Sequence, residues 1–326
     1  MPGRNPVGSK RFATAARVAL SVSLPLLAAA RLGAPYPALD LINLAAAPLA
    51  LASVLAAALL LLRTRTWPGR IVFFICCIPG SLLLLPQATA RGDCRPGAER
   101  LRVAWINAHN PEQPDRIARW LETEQPQIVG IAELASGLPL RRVLEERWPY
   151  WQSCLGNGRC STLLYSRVPP AEAQGLAHGD PENRQALSAA HMGFAAKGAD
   201  SVPHSRPAQI YAVHLSRPLP LGWQARELLA LDEHLRSGPD TIVMGDMNMS
   251  PRMQLLRDFA ARNGLSVTPV GSPTWPVSIG GHSFSGLWQI DHLLVGRNWQ
   301  VVAIRPGPDV GSDHKGFVAD LCRRHS

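Results

Sequence analysis

The chain has 326 residues, with 33 Lys and Arg against 24 Asp and Glu, a net charge of +9 and a hydrophobic share of 46%. That length and apolar content exclude a disordered chain and allow one or two domains. The charge is concentrated: residues 1–95 carry ten basic residues and only two acids, Asp40 and Asp93. The remainder is close to neutral, so the net charge makes no case for a basic nucleic-acid-binding face there.

Three apolar runs fill the N-terminal part. They are 12–30, broken by Arg17; 41–62, almost pure Leu and Ala; and 71–90, with Cys76, Cys77 and Pro79. Each is long enough to cross a hydrocarbon core. The expectation is a membrane anchor over 1–95 with three transmembrane helices, then a globular domain over 96–326. Lys and Arg gather in the N-terminal tail (Arg4, Lys10, Arg11) and in the second join (Arg63, Arg65, Arg70). By the positive-inside rule the N-terminus is cytoplasmic and everything after Ala90 lies outside.

Four cysteines lie beyond these runs: Cys94, Cys154, Cys160 and Cys322. An even number in an extracytoplasmic domain reads as disulfides. Cys154 and Cys160 bracket Leu-Gly-Asn-Gly-Arg, a ready turn, and Cys94 and Cys322 stand at the two ends of the domain. The expected pairs are therefore Cys154–Cys160 and Cys94–Cys322.

Along the domain, Leu101–Asn107 reads as a strand ending on Asn107. Gln113–Glu124 reads as a helix, with Ile117, Trp120 and Leu121 at i, i+3 and i+4. Ile128–Ala132 is a buried strand closed by Glu133, and Leu138–Arg147 a second helix. Ser161–Ser166, Gln185–Phe194 and Gln209–His214 follow as strands, and Trp223–Arg236 as an amphipathic helix. Thr241–Asp246 is a further buried strand, followed by a helix around Met253–Asn263, the strand Gln289–Val295, and Asp320–Leu321 near the end. Strands outnumber helices, and hairpins mix with crossovers. The expected fold is α/β (α+β): a four-layer sandwich of two packed β-sheets flanked by helices, preceded by the three transmembrane helices.

Polar residues collect where apolar runs close: Asn107, Glu133, His214, Asp246, Asn248, Asp291 and the pair Asp313-His314. In Gly-Asp-Met-Asn, Asp246 and Asn248 stand at i and i+2 and leave the strand end on one side. The carboxylate suits a water, the amide a phosphoryl oxygen. A lone Glu or His at such a place is more often a solvated or core residue. Strand ends that converge on one rim make a site instead.

Five fragments in this order resemble the endonuclease/exonuclease/phosphatase family of metal-dependent, deoxyribonuclease I-like phosphoesterases. They are LRVAWIN, PQIVGIAE, YAVHL, IVMGDMNMSP, and QIDHLLV followed by GSDH. The resemblance covers the globular domain and none of the N-terminal part. It implies that Glu133 ligates a divalent cation, Mg²⁺ or Mn²⁺, with Asn107 beside it and Asp313 on the same side. It implies that Asp246 orients or deprotonates the attacking water and that Asn248 contacts the phosphate. His214 and His314 hold phosphoryl oxygens, and Asp291 fixes the His314 ring. His109 stands where the abasic-site nuclease branch carries an acidic metal ligand, two residues after the Asn. The resemblance therefore gives His109 no metal role and points to the branch of deoxyribonucleases, sphingomyelinases and inositol-phosphate phosphatases. Arg184 is a further candidate for a substrate phosphate.

The implied function is a membrane-anchored, divalent-metal-dependent phosphoesterase acting on phosphodiester bonds in a nuclease-like way. The alternative is a phospholipid, sphingomyelin or inositol-phosphate phosphoesterase. An inactive membrane-anchored binding module is disfavoured by the intact set of site residues. The implied partners are a nucleic acid or phospholipid head group as substrate, and the membrane through the three helices.

Overall fold

The computed structural model describes residues 36–64, 92–109, 114–134, 139–154, 160–177, 187–195, 208–236, 238–279 and 282–324. Two compact units divide the chain: Met1–Pro86 with Arg252–Leu255, and Gln87–Pro251 with Leu256–Ser326.

In the first unit the expected straight span 41–62 is instead two helices, α1 (Pro37–Leu44) and α2 (Ala46–Thr64). Pro48 explains the break, because it has no N–H to give to the carbonyl four residues back. Among the described residues no single helix is long and apolar enough to cross a membrane. Pro37–Leu44 and Pro48–Ala56 reach that length only together, across a 69° bend. The expected spans 12–30 and 71–90 lie outside the described residues.

The second unit begins with β1 (Arg100–Asn107), α3 (Pro114–Glu124), β2 (Ile128–Ala132) and α4 (Pro139–Arg147). Then come β3 (Tyr150–Ser153), β4 (Leu163–Ser166), β5 (Glu172–Ala177), β6 (Ser188–Phe194) and β7 (Ala208–His214). These are followed by α5 (Trp223–His234), β8 (Thr241–Asp246), α6 (Gln254–Arg262) and β9 (Leu265–Thr268). A small hairpin, β10 (Ser278–Ile279) and β11 (His282–Ser283), precedes β12 (Asp291–Gly296), β13 (Trp299–Pro306) and β14 (Phe317–Arg323).

Two six-stranded mixed sheets result, ordered β13-β14-β1-β2-β4-β3 and β5-β6-β7-β8-β12-β9. Alternation along the strands builds the layers. Val103 and Trp105 of β1 face the second sheet and join Ile210, Ala212, Ile242, Met244 and Leu293 in one core. Ala104 and Ile106 face the other way and pack with Ile117, Trp120 and Leu121 of α3 and with Leu140 and Leu144 of α4. Helix α3 opens on Pro114, which suits a first helical position. It stops at Gln125, whose backbone turns to φ 53 before Pro126. On the second sheet, the Tyr211 hydroxyl donates to the His234 carbonyl at the end of α5. Asp232 of α5 accepts from Arg262 and Asn263 at the end of α6.

In each sheet the two central strands are parallel, β1 with β2 and β7 with β8. Parallel strands end at the same edge, so Asn107, Glu133, His214 and Asp246 emerge on one rim. Strands β12 and β14 run antiparallel to these neighbours and begin where they end: Asp291 pairs with Asp246, and Phe317 with Trp105. The rim therefore also receives Asp291 and the loop carrying Asp313 and His314. Gly245 is required here, because a Cβ on it would lie 2.1 Å from the Val213 carbonyl oxygen. That close approach holds His214 in register with Asp246.

Both expected cysteine pairs are joined, Cys94 to Cys322 and Cys154 to Cys160. Cys322 lies on β14, which pairs with β1 and β13 near the middle of the first sheet. The bond closes a loop spanning 228 residues. Replacing both Cys94 and Cys322 by Ser is expected to lower stability by about 2–4 kcal/mol. Denaturant unfolding of the two proteins checks this.

Candidate active site

Asn107 ties the two sheets together at the rim. Fully buried, its Nδ2 donates to Glu133 Oε1 at 3.0 Å and to Asp246 Oδ2 at 3.0 Å. Its Oδ1 accepts the backbone N–H of His109 at 3.0 Å. Glu133, His109 and Asn248 have positive φ, at 54°, 44° and 50°. Non-glycine residues seldom adopt this conformation, and it clusters at functional sites. Here it occurs just past the ends of β1, β2 and β8, and it brings His109 and Glu133 into contact, Nδ1 to Oε2 at 3.2 Å.

Asp246 is buried at the centre. Its Oδ1 accepts the Asn248 backbone N–H at 2.9 Å. Its Oδ2 lies 3.7 Å from both His214 Nε2 and His314 Nε2, longer than a hydrogen bond. Burial and the nearby Asp291 charge raise the Asp246 carboxyl above the ordinary carboxylate range, against the two imidazoles and Asn107, which lower it. A more basic carboxylate is better suited to take a proton from water.

Asp291 and His314 form a buried pair, with His314 Nδ1 3.0 Å from Asp291 Oδ2. The Trp105 indole N–H donates to Asp291 Oδ1 at 2.8 Å. Burial alone would raise Asp291; the His314 imidazolium and the hydrogen bonds from His314, Trp105 and Thr274 outweigh it and hold the carboxyl low. For His314, burial lowers the imidazole, but Asp291 and Asp246 push it up to about 9. These carboxylates favour the protonated form of His314. Asp246, Asp291 and His314 present ligand atoms within 4.8 Å of one another, a grouping that by distance alone suits a metal. Both Asp291 oxygens, however, are already engaged, by Trp105 and His314. Asp291→Asn is expected to cost about 1–3 kcal/mol of stability, since one amide oxygen cannot serve both the Trp105 and His314 donors. Denaturant unfolding reads the loss.

A second group of oxygens lies on the other side of Asn107. Glu133 Oε2 is 3.2 Å and Asp313 Oδ1 3.7 Å from His109 Nδ1. The Trp275 indole N–H occupies Asp313 Oδ2 at 2.9 Å, while buried Asp313 Oδ1 has no hydrogen-bond partner. Burial raises the Glu133 carboxyl, but the Asn107 hydrogen bond and the imidazoles of His214, His109 and His314 bring it below its ordinary value. Glu133 and Asp313 thus place two carboxylates beside one imidazole, one of their oxygens without a partner, and hard oxygens are the donors a divalent cation takes.

The remaining expected residues fall into place around these two groups. His214 Nε2 is 3.6 Å from Glu133 Oε1, and its Nδ1 is 3.2 Å from the Ser161 hydroxyl. Asn248 Nδ2 donates to the Leu215 carbonyl at 2.9 Å, leaving one amide hydrogen for a further acceptor. All eight site residues expected from the sequence thus stand on one rim. Arg184 lies outside the described residues. His292 turns to the opposite face, its Nε2 2.7 Å from the Met249 carbonyl.

The supporting hydrogen bonds were not legible as site residues. Trp105 reads as an inward core position of β1, yet it holds Asp291. The Thr274 hydroxyl accepts the backbone N–H groups of Ile290 and Asp291. Gln224, at the start of α5, gives its amide to the carbonyls of Ser216, Met247 and Asn248. Buried Glu227 accepts the Ser216 backbone N–H at 2.7 Å. Gln224 thus binds the loops after His214 and Asp246 to each other and Glu227 holds the first of them to α5, and a helix face gives no sign of such a role.

The endonuclease/exonuclease/phosphatase family pattern matches residues 104–314. No curated protein matches the chain. Among solved structures, an endonuclease/exonuclease/phosphatase from Beutenbergia cavernae is similar, with 22% identity and a TM-score of 0.53 over 69% of this chain and 72% of that one. D. rerio TDP2 complexed with a single-strand DNA product is similar at 15% identity and a TM-score of 0.52, over 68% and 99%. A mannosyl-6-phosphatase from Bacteroides thetaiotaomicron is similar at 15% identity and a TM-score of 0.50, over 68% and 99%. At these identities the solved structures speak for the fold alone. The pattern match spans well over half of the chain, which therefore belongs to the endonuclease/exonuclease/phosphatase family and is a hydrolase of phosphoric esters.

Proposed function

We propose that this chain hydrolyses phosphodiester bonds with a divalent cation, Mg²⁺ or Mn²⁺, by in-line attack of water, and that its substrate is nucleic acid. The observation that carries this reading is the division of the rim into two chemically distinct halves. On one side stand the hard oxygens of Glu133 and Asp313, on the other the basic Asp246 between two imidazoles.

Glu133 and Asp313 are the residues that would hold the cation, with Asn107 fixing Glu133 in place. When bound, the cation draws off charge that builds on the phosphoryl oxygens. Asp246 Oδ2 accepts a proton from the attacking water; the new O–P bond forms as the P–O bond to the leaving group breaks. His314, its protonated form favoured by Asp291, faces this centre and stabilises a phosphoryl oxygen. His214, held by the Ser161 hydroxyl, serves the same centre from the other sheet and supplies a proton to the leaving oxygen. The free amide hydrogen of Asn248 is available to a phosphoryl oxygen.

Phospholipid head groups are the second reading, favoured by the apolar sequence of the first 95 residues. A membrane anchor in that part and an extracytoplasmic catalytic domain belong to this proposal. The two disulfides support the placement, since such bonds persist in oxidising compartments. A reporter fused after Ser326 that works only in the cytoplasm would contradict it. The substrate is tested by offering the purified full-length chain DNA, RNA, sphingomyelin, phosphatidylinositol and a bis-aryl phosphodiester with Mg²⁺ or Mn²⁺. Preferential cleavage of DNA or RNA supports the first reading, preferential cleavage of either lipid replaces it with the second, and failure on every ester overturns both.

A further inference from the structure

We infer that the Cys154–Cys160 disulfide positions His214 through Ser161, so that its reduction by a dithiol switches hydrolysis down. This rests on the reading above, in which His214 gives a proton to the leaving oxygen.

Ser161 directly follows Cys160, and its hydroxyl lies 3.2 Å from His214 Nδ1. Among the described residues it is the one side chain within hydrogen-bond distance of that ring. Glu133 and Asp246 stand farther off, at 3.6 and 3.7 Å. The His314 ring, by contrast, rests on a carboxylate at the start of a central strand. Ser161 precedes β4 and belongs to no strand. What holds it converges on Cys154 and Ser188. Cys160 is bonded to Cys154 on one side of it. On the other side, the Cys154 backbone N–H donates to the Thr162 carbonyl at 3.1 Å, and the Thr162 backbone N–H to Cys154 Sγ at 3.3 Å. The Ser161 backbone N–H reaches the Ser188 hydroxyl at 3.3 Å, which also lies 3.3 Å from Cys154 Sγ. Ser188 in turn pairs with His214 across β6 and β7. The disulfide therefore fastens the segment bearing Ser161 beside the strand end that bears His214.

A disulfide across six positions removes less chain entropy from the unfolded state than one across 228, so global stability is the smaller part of its effect. Its larger effect is local, on the hydroxyl that the His214 ring rests against. Cys160 is exposed and Cys154 buried, so a reductant meets Cys160 first. One thiolate of a dithiol attacks Cys160 Sγ; the S–S bond breaks, and its electron pair leaves on Cys154 Sγ, which takes a proton. The second thiolate then closes on the first sulfur of the reductant and releases Cys160 as a thiol. Two electrons and two protons pass to the protein, and the dithiol ends as a disulfide. Ser161 has then lost the covalent anchor next to it, and His214 its fixed partner.

The test uses the purified full-length chain with Mg²⁺ and two esters: bis-nitrophenyl phosphate, and whichever of DNA, RNA and the two lipids the chain cleaves best. A nitrophenolate leaves without a proton; the alkoxides of the other esters need one, so a misplaced His214 shows in them. Dithiothreitol is expected to lower kcat on the alkyl ester by about 10–10²-fold, with KM and the nitrophenyl ester changed less than about threefold. Thiol trapping should map new thiols to Cys154 and Cys160, and reoxidation should restore the rate. Ser161→Ala should start at the reduced level and fall no further with dithiothreitol, because two changes on one path do not add. Ser161→Thr, which keeps the hydroxyl, should recover most of the loss. If the bond resists the reductant, Cys154→Ser combined with Cys160→Ser takes its place with the same expectations. Full kcat with both thiols free, equal losses on the two esters, or a further fall in reduced Ser161→Ala overturns the inference and leaves the hydrolysis reading standing. An oxidised wild type inert toward every ester overturns both.

Discussion

Glu133→Gln is expected to reduce phosphodiester hydrolysis on the order of 10³-fold, the equivalent of several kcal/mol of transition-state stabilisation. The substitution is nearly isosteric. A glutamine oxygen can still accept from Asn107 Nδ2, so the bridge to Asp246 is kept. What changes is the charge offered beside Asp313, because a neutral amide binds a hard cation far more weakly than a carboxylate. Cation affinity and activity should therefore fall together. Calorimetric titration of Mg²⁺ alongside single-turnover hydrolysis reads both, and a variant with near-wild-type values for either would place the cation elsewhere.

Asp246→Asn should be comparably damaging by a different route. Its kcat is expected to fall by at least about 10²–10⁴-fold, the usual contribution of a positioned general base. Cation affinity should stay close to that of the wild type, because Asp246 faces His214 and His314 rather than the Glu133 and Asp313 oxygens. An asparagine keeps an oxygen for the Asn248 backbone N–H, so the turn after β8 is preserved. It cannot take a proton from water. Parallel measurement of kcat and of Mg²⁺ binding separates the two variants. Loss of cation binding in Asp246→Asn would move Asp246 into the metal set.

The sequence was most informative where the strands are buried on both faces. The strands β1, β2, β7 and β8 run largely apolar, and each stops on or just before a polar residue of the candidate site, so strand and candidate were visible together. Edge elements were not. Tyr150–Ser153 is half exposed, and Glu172–Ala177 mixes Glu, Gln and Gly with Ala and Leu. Neither carries the continuous apolar run of a central strand or a clean alternation. The N-terminal segment misled in the other direction: composition over 41–62 suggested one helix, while Pro48 broke it into two.

Within the candidate site, the expected residues announced themselves as polar or charged groups at strand ends. Their supports did not, because a Trp at an inward strand position looks the same whether or not its indole N–H meets a carboxylate. Trp105 and Trp275 both do this, holding Asp291 and Asp313. His109 is the opposite case: in the sequence it stood out as a departure from an acid, and only the structure sets its ring 3.2 Å from Glu133 Oε2 and 3.7 Å from Asp313 Oδ1.

The central claim is cation-dependent hydrolysis by the rim, and the direct measurement is bis-aryl phosphodiester turnover by the full-length chain, stripped with chelator and then titrated with Mg²⁺ or Mn²⁺. The predicted result is no turnover above buffer in chelator and a saturable return of activity with either ion. Turnover that persists undiminished in chelator would contradict it.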